Sequence, residues 1–356
     1  MGAGAYRMAV AVALGTAAVA LICAWILDLP LRDPDGFLGP TYVRLPVIVT
    51  LMLALDVVPR AVLRARSVTG LVSEVAVVAR ERWPWHRLRP ALIGLIAFYV
   101  TYVSYRSLKH YLPLLRRDSA EEELREFDLA LTGGVRPAEL LHDVLGTGNA
   151  AHVLSWAYLA FLIFVPFSLA FALVSNGRSR EGAWYVTALC LNWSLGTASY
   201  YLLPSRGPIY AEPALFAGLP QTGTSLLQQS LLESRLLVLA GPHATERVQS
   251  IAAFASLHVS IVFTAALIAQ LVLRSVAARA LLWIFFALTV VSTIYFGWHY
   301  VVDDVAGVAI GAVAVVLAAW GTGQFQPSAP DDGDAHDGER RAVEATDRRV
   351  GADAAV

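Results

Sequence analysis

Ser292-Thr-Ile-Tyr-Phe-Gly-Trp-His299-Tyr-Val-Val-Asp303-Asp-Val-Ala-Gly307 sets an imidazole and a carboxylate four residues apart between two apolar runs. Residues at i and i+4 share one helix face, so the spacing predicts that Asp303 accepts a hydrogen bond from one ring nitrogen of His299 and leaves the other free to act. Ionisable groups at membrane depth are costly, and those that persist pair or work. Two more clusters sit at the ends of apolar runs: Phe254-Ala-Ser256-Leu-His258 opens one, and Leu203-Pro204-Ser-Arg206-Gly-Pro208 closes another. If all three meet on one membrane face, they form a site that handles phosphate.

Around these clusters the composition sets the class. Of 356 residues, 57% are hydrophobic and only 15% charged, and the apolar residues come in runs of about twenty, the length that crosses a bilayer. Eight spans are expected, at roughly 6–29, 42–63, 88–108, 151–175, 182–203, 251–273, 280–298 and 301–322. The fold class is therefore all-α, a polytopic membrane helix bundle. A net charge of −1 and the lack of a basic stripe interleaved with aromatics exclude nucleic acid as a partner. Cys23 and Cys190 fall inside apolar spans and read as small buried side chains, with no disulfide framework or CxxC metal motif. The first apolar stretch is longer than a signal-peptide core and is followed by Leu27-Asp-Leu-Pro, a poor cleavage site, so it reads as an anchor.

Arginines orient the spans. With the amino terminus in the cytoplasm, the short cytoplasmic segments collect Arg7, then Arg60, Arg64, Arg66, Arg80, Arg82, Arg87 and Arg89, then Arg178 and Arg180, then Arg274 and Arg279. The two long opposite loops, near 109–150 and 204–250, dilute their cations with acids such as Glu121, Glu122, Glu123 and Glu126. The positive-inside rule then puts both termini in the cytoplasm of a multi-pass protein, expected in the plasma membrane. Pro204, His258, His299 and Asp303 all fall on the expected extracytoplasmic side, an orientation that rests on the loop arginines alone. The segment 67–90 is amphipathic and suits the cytoplasmic interface, Ser225 to Ala240 suits the outer one, and the Asp-, Arg- and Ala-rich stretch 323–356 is expected to be a disordered cytoplasmic tail.

The three clusters, in this order, resemble the type-2 phosphatidic acid phosphatase superfamily, whose pattern is Lys-x6-Arg-Pro, Pro-Ser-Gly-His and Ser-Arg-x5-His-x3-Asp. Here they read Pro204-Ser205-Arg206-Gly207-Pro208, Ala255-Ser256-Leu257-His258 and Ser292-Thr293-x5-His299-x3-Asp303. Leu257 stands for the family's Gly, Thr293 for its second Arg, and Ser199 for its Lys when Arg206 is aligned with its first Arg. Those departures resemble the inositol phosphorylceramide synthase branch, an inositolphosphotransferase. The resemblance covers roughly 88–322, and implies a six-helix phosphatase-like core there, preceded by two spans and a cytoplasmic linker over 1–87.

A phosphoester is best cleaved in two steps, and the residue types fit them. His299 is the expected nucleophile, forming a phosphohistidine; Asp303 fixes its tautomer and balances the developing charge. His258 is the expected acid for the leaving alcohol and then the base for water or an acceptor hydroxyl. Arg206 supplies charge to the phosphate oxygens, helped by the hydroxyl and amide of Ser256 at a helix start. With two family cations missing, Arg106 and Lys109, the only lysine, are candidates to complete the phosphate clamp. His110, His142, His152 and His243 read mainly as interfacial side chains, Asp304 as a helix N-terminal charge off the His299 face, and Trp298 and Tyr300 as aromatic belt.

The expected function is a lipid-phosphate phosphatase or phosphotransferase, with a lipid phosphate and the bilayer as partners and with neither cofactor nor metal. A transporter or channel with a His/Asp proton relay is the alternative; it predicts polar residues at mid-span, where only Asp56 and Asn192 stand out. A haloperoxidase is a third reading, but those are soluble. Substrate headgroup, protein partners and oligomeric state are not encoded legibly.

Overall fold

The computed structural model describes residues 3–33, 39–65, 70–174 and 179–325. The expected acidic tail lies almost wholly outside them. The described residues form helices and no strand: α1 Arg7–Leu27, α2 Thr41–Arg64, α3 Leu71–Arg82, α4 Trp85–Leu115, α5 Glu121–Leu131, α6 Pro137–Leu145, α7 Asn149–Val174, α8 Ser179–Leu202, α9 Pro208–Ala211, α10 Gly223–Ala240, α11 Leu257–Val272, α12 Val276–Tyr295 and α13 Val301–Gly321. The all-α membrane bundle read from composition is the fold.

Helices α1, α2, α4, α7, α12 and α13 are long and apolar enough to cross a bilayer. The other two expected spans coincide with α8, 24 residues long, and with the shorter apolar α11, of 16 residues. Local sequence sets several boundaries. Pro84 precedes α4 and Pro137 opens α6, where a missing N–H costs nothing. Ser275 caps α12 by accepting from the Ala278 amide, and Ser256 caps α11 through Val259.

The expected span from 251 is the main correction to this layout. Its helix starts only at Leu257, because the amides just before it are spent elsewhere. Ala253 N–H donates to Ser205 O and Phe254 N–H to Ser205 Oγ, both at 3.0 Å, and Ala255 N–H donates to Ser199 Oγ at 2.8 Å. Buried amides must be satisfied, and these three are satisfied by α8 and the chain after it rather than by a helical turn.

Helix α8 packs against α1, α4, α7, α11 and α13, so it is the hub of the bundle. Its Val186, Ala188 and Leu189 are fully enclosed. Lipid is as apolar as leucine, so close packing and polar staples hold such helices together. Asn192 donates to Thr264 Oγ1 at 3.0 Å and accepts from the Ser260 hydroxyl, and Trp184 Nε1 donates to Val315 O at 2.9 Å. Staples of this kind contribute about 0.6 kcal/mol each. Gly307 and Gly311 let α13 lie on the start of α11: a Cβ on Gly307 would come within 2.4 Å of Ser256 O.

Both mid-span polar residues turn out to be structural. Asn192 is a staple. Asp56 takes Arg82 Nε at 2.8 Å and Trp83 Nε1 at 3.1 Å, fastening α3 onto α2 beside a small apolar contact of Val57, Ala61 and Val78.

Candidate active site

Four hydrogen bonds donated by backbone amides lace the three sequence clusters together at one end of the bundle. Besides the two from Ala253 and Phe254 to Ser205, Ser256 N–H donates to Asp303 O at 3.0 Å and Ile209 N–H to Gly297 O at 2.8 Å. Gly207 takes φ +96°, and a Cβ there would strike the Trp298 carbonyl at 2.3 Å. That close approach explains the glycine between Arg206 and Pro208.

His299 stands in the turn between α12 and α13, not on a helix as its spacing suggested. Tyr300 is the N-cap of α13, and Asp303 reaches back to accept the Tyr300 amide on Oδ2 at 2.9 Å. This cap brings His299 Nδ1 to 3.4 Å from the same oxygen. The contact is a charge contact rather than an aligned hydrogen bond, since His299 Nδ1 and Asp303 Oδ1 both lack a hydrogen-bond partner. Asp128 of α5 completes the cap by accepting from Val301 N–H at 2.8 Å and Val302 N–H at 3.2 Å.

His258, in the first turn of α11, meets His299 at a ring separation of 6.1 Å. It is half-buried, stacked on Tyr158 at 4.7 Å and tilted against Phe161 at 4.2 Å. Trp298 lies flat on the other face of this group, parallel to Tyr158 at 5.0 Å. Trp298 and Tyr300 are thus buried parts of the site and not aromatic-belt residues.

Lys109 is the cation the structure brings to the pair. It is 9% exposed, with Nζ 3.5 Å from the Tyr105 hydroxyl and 4.7 Å from the centre of the Tyr200 ring. Among the described residues no carboxylate pairs with it, and its charge bears on both imidazoles. Burial, with Lys109 behind it, pushes the His299 imidazole down to about 3, while the Ala253 carbonyl acts the other way. The ring is accordingly neutral at physiological pH.

The remaining expected phosphate ligands are engaged with the protein. Arg206 turns to Glu121, Nε to Oε1 at 3.4 Å, and its side chain is 44% exposed. Ser256 donates its amide to Asp303 O, and its hydroxyl oxygen accepts the Val259 amide in the α11 cap. Arg106 lies on α4 beside Tyr105 and Lys109, with a buried Nε that has no partner. Ser199, at the family's Lys position, holds the loop before α11 through Ala255. Thr293, at the family's second Arg position, donates to Asp304 Oδ2 at 2.9 Å. Asp304 is buried at that contact, in the first turn of α13 where its reading as a helix N-terminal charge put it.

Of the other histidines, His110 accepts the Gln249 amide at 3.2 Å and His142 contacts the Tyr295 carbonyl at 2.9 Å, whereas His152 and His243 are exposed. Both cysteines are free thiols, Cys190 buried and Cys23 half-buried. No group of three metal-binding side chains occurs among the described residues.

Sequence reading missed Glu121, Asp128 and Arg235. Glu121, Leu124 and Asp128 recur at i, i+3 and i+7, which places them on one face of α5, and that periodicity was the available signal. Asp128 caps α13, and Glu121 takes the Tyr300 hydroxyl at 3.0 Å. A cleft lined by Arg125, Asp128, Arg136, Glu212 and Tyr300 reaches His299 beside them.

The bundle and this pocket define a polytopic helical membrane protein with a buried histidine pair beside a buried cation. A family model described as the PAP2 superfamily matches residues 122–317, more than half of the 356-residue chain. The chain belongs to the PAP2 superfamily, and that membership supports a phosphatase-type activity on phosphoric esters. The match begins in α5, so Lys109 lies outside it. No curated protein and no solved structure matches the chain.

Proposed function

We propose that the protein cleaves lipid phosphoesters through a phosphohistidine on His299, in the outer leaflet of the cell membrane. The observation that carries this reading is a pair of imidazoles 6.1 Å apart, faced by a buried lysine that has no carboxylate partner among the described residues. Hydrogen bonds of about 2.7–3.2 Å on either side let one phosphoryl group bridge such a gap. A cation buried without a counter-ion is costly, and an incoming phosphate offsets that cost.

In the first step the neutral His299 nitrogen attacks phosphorus, the bond from phosphorus to the lipid oxygen breaks, and the leaving alcohol takes a proton from His258. Asp303, 3.4 Å from Nδ1, stabilises the positive charge that His299 acquires. In the second step water gives a proton to His258 and attacks phosphorus, the N–P bond breaks, and phosphate leaves. Lys109, with Arg106 behind it, balances the negative charge that builds on the phosphoryl oxygens. Arg206 joins once its contact with Glu121 opens, and Ser256 acts as the hinge that holds α11 against Asp303. The cleft beside Asp128 and Tyr300 is a polar route for water, or for an acceptor hydroxyl that would make the enzyme a transferase.

Transfer of an inositol-phosphate-type headgroup is the second form of this reading. It is favoured by Leu257 and Thr293, which occupy the positions that resemble the synthase branch. A proton relay through the membrane is disfavoured because Asp56 and Asn192 are spent on structural contacts. The test is to reconstitute the purified protein and supply labelled lipid phosphates, with and without diacylglycerol, ceramide or inositol acceptors. Label appearing as free phosphate marks the hydrolase, and label on an acceptor marks the transferase. An acid-labile, base-stable phosphoryl adduct that is missing from His299→Gln is expected. Turnover surviving that substitution would sink the mechanism.

A further inference from the structure

The first residue of α5 puts a carboxylate into a set of anion-binding donors. Glu121 Oε1 accepts from the Arg206 backbone N–H and, at 3.4 Å, from Arg206 Nε; Oε2 accepts from the Tyr300 hydroxyl at 3.0 Å. The carboxylate is well covered, at 13% exposed. Arg235, half-buried on α10, lies near enough to Arg206 and Glu121 to feel their charges, while the ion pair itself joins only Arg206 and Glu121. A backbone N–H, a guanidinium and a hydroxyl aimed at a pair of oxygens are the donors that also hold phosphate oxygens. Tyr300 directly follows His299, so this cradle adjoins the imidazole pair.

We infer that Glu121 is a displaceable internal anion, filling in the unliganded protein an outer subsite built from Arg206 and Tyr300, with Arg235 nearby, that an acidic group of the lipid headgroup takes over on binding. The inference rests on the phosphoester reading above and adds a selectivity to it. The Arg235 charge nearby adds to the attraction of this subsite for an incoming anion. Repulsion from Glu121 scales with the charge of that anion, so a phosphomonoester dianion meets about twice the barrier that a singly charged phosphodiester does. Glu121 therefore tunes the enzyme between the two headgroup classes.

The full chain in lipid nanodiscs provides the test, with KM and kcat measured on a phosphomonoester lipid and a phosphodiester lipid, and orthovanadate as inhibitor. Glu121→Gln is expected to lower the monoester KM and the vanadate Ki by about five-fold, with a smaller drop for the diester and less change in kcat than in KM. Arg235→Gln is expected to raise the monoester KM by a similar factor. Glu121→Asp, which keeps the charge, is expected to stay nearer to wild type than Glu121→Gln. Unchanged or raised KM and Ki in Glu121→Gln would overturn the inference and leave a merely structural latch, as would an unchanged KM in folded Arg235→Gln if Glu121→Gln fails to fold. A wild-type protein inert towards every lipid phosphate would instead sink the phosphoester reading itself.

Discussion

Lys109 and His299 define each other's chemistry at the scale of single residues. Burial, with the Lys109 ammonium nearby, favours the neutral form of His299, and a neutral ring is what nucleophilic attack on phosphorus requires. Lys109→Gln keeps a hydrogen-bonding side chain of similar length but removes the charge. It is expected to lower kcat/KM by about 10²–10³-fold, the usual cost of losing one preorganised charge-stabilising donor, without lowering the unfolding temperature. Unchanged turnover would remove Lys109 from the clamp. His299 also makes a stability prediction. Its folded value near 3 lies below the ordinary 6.5, so the folded state binds fewer protons than the unfolded chain between those values. Its contribution is complete above about pH 6.5 and is lost as the pH falls towards 3, with a slope of up to about 1.4 kcal/mol per unit. Unfolding midpoints followed from pH 7 to pH 4 should fall less steeply in His299→Gln than in wild type. Equal slopes would mean that the ring is hydrated.

Element by element, the site is held by the ends of helices, and this decided how much of it was legible in the sequence. Runs of apolar residues are long and one-dimensional, so α1, α2, α4, α7, α12 and α13 could be read directly from hydropathy. The histidine pair was legible because both rings sit next to span ends, where the chain order fixes the leaflet. The source of the phosphate cation was only half legible. Lys109 was singled out by its place at a span end, but the commitment of Arg206 to Glu121 depends on α5 folding back over α13, a long-range contact with no local signature. Loop amides were illegible for the same reason, since Ser199 and Ser205 look like ordinary helix-end serines until the 253–255 run docks on them. Gly307 tests the idea that helix ends position the chemistry. Its Cβ would press on the Ser256 carbonyl, which is backbone and cannot rotate away. Gly307→Ala should cost about 1–3 kcal/mol of stability and reduce turnover as α13 moves off α11. Gly148→Ala, where a Cβ meets nothing within 4 Å, should change neither. If the two variants behave alike in thermal unfolding and in turnover, the α11–α13 contact does not set the site. Asp128→Ala should cost about 1 kcal/mol or more in thermal unfolding, because it leaves the half-buried amides of Val301 and Val302 without their acceptor.

For the whole molecule, the length of α12 ties the site to one side of the membrane. Helix α12 has 20 residues, so it rises about 30 Å, the thickness of the hydrocarbon core. Its first turn and the His299 turn must then face opposite leaflets. The positive-inside rule predicts that the arginine-rich segments Arg60 to Arg89 share the side of the first turn, and on that expectation His299, Glu121 and α10 lie outside. Helix α10 is built for that surface, since its buried residues are Thr224, Gln228, Ser234 and Val238 while Leu226, Leu236 and Leu237 are exposed. Polar groups turned inward and leucines turned outward suit a helix lying among lipids beside a polar pocket. In a Cys23→Ser, Cys190→Ser background, Gly148→Cys and Ala277→Cys are both exposed and lie at opposite ends of this arrangement. A membrane-impermeant maleimide added to intact cells is expected to label position 148 and to reach position 277 only after the membrane is opened. The reverse pattern would put the histidine pair in the cytoplasmic leaflet, and the lipid phosphate it meets would have to be an inner-leaflet one.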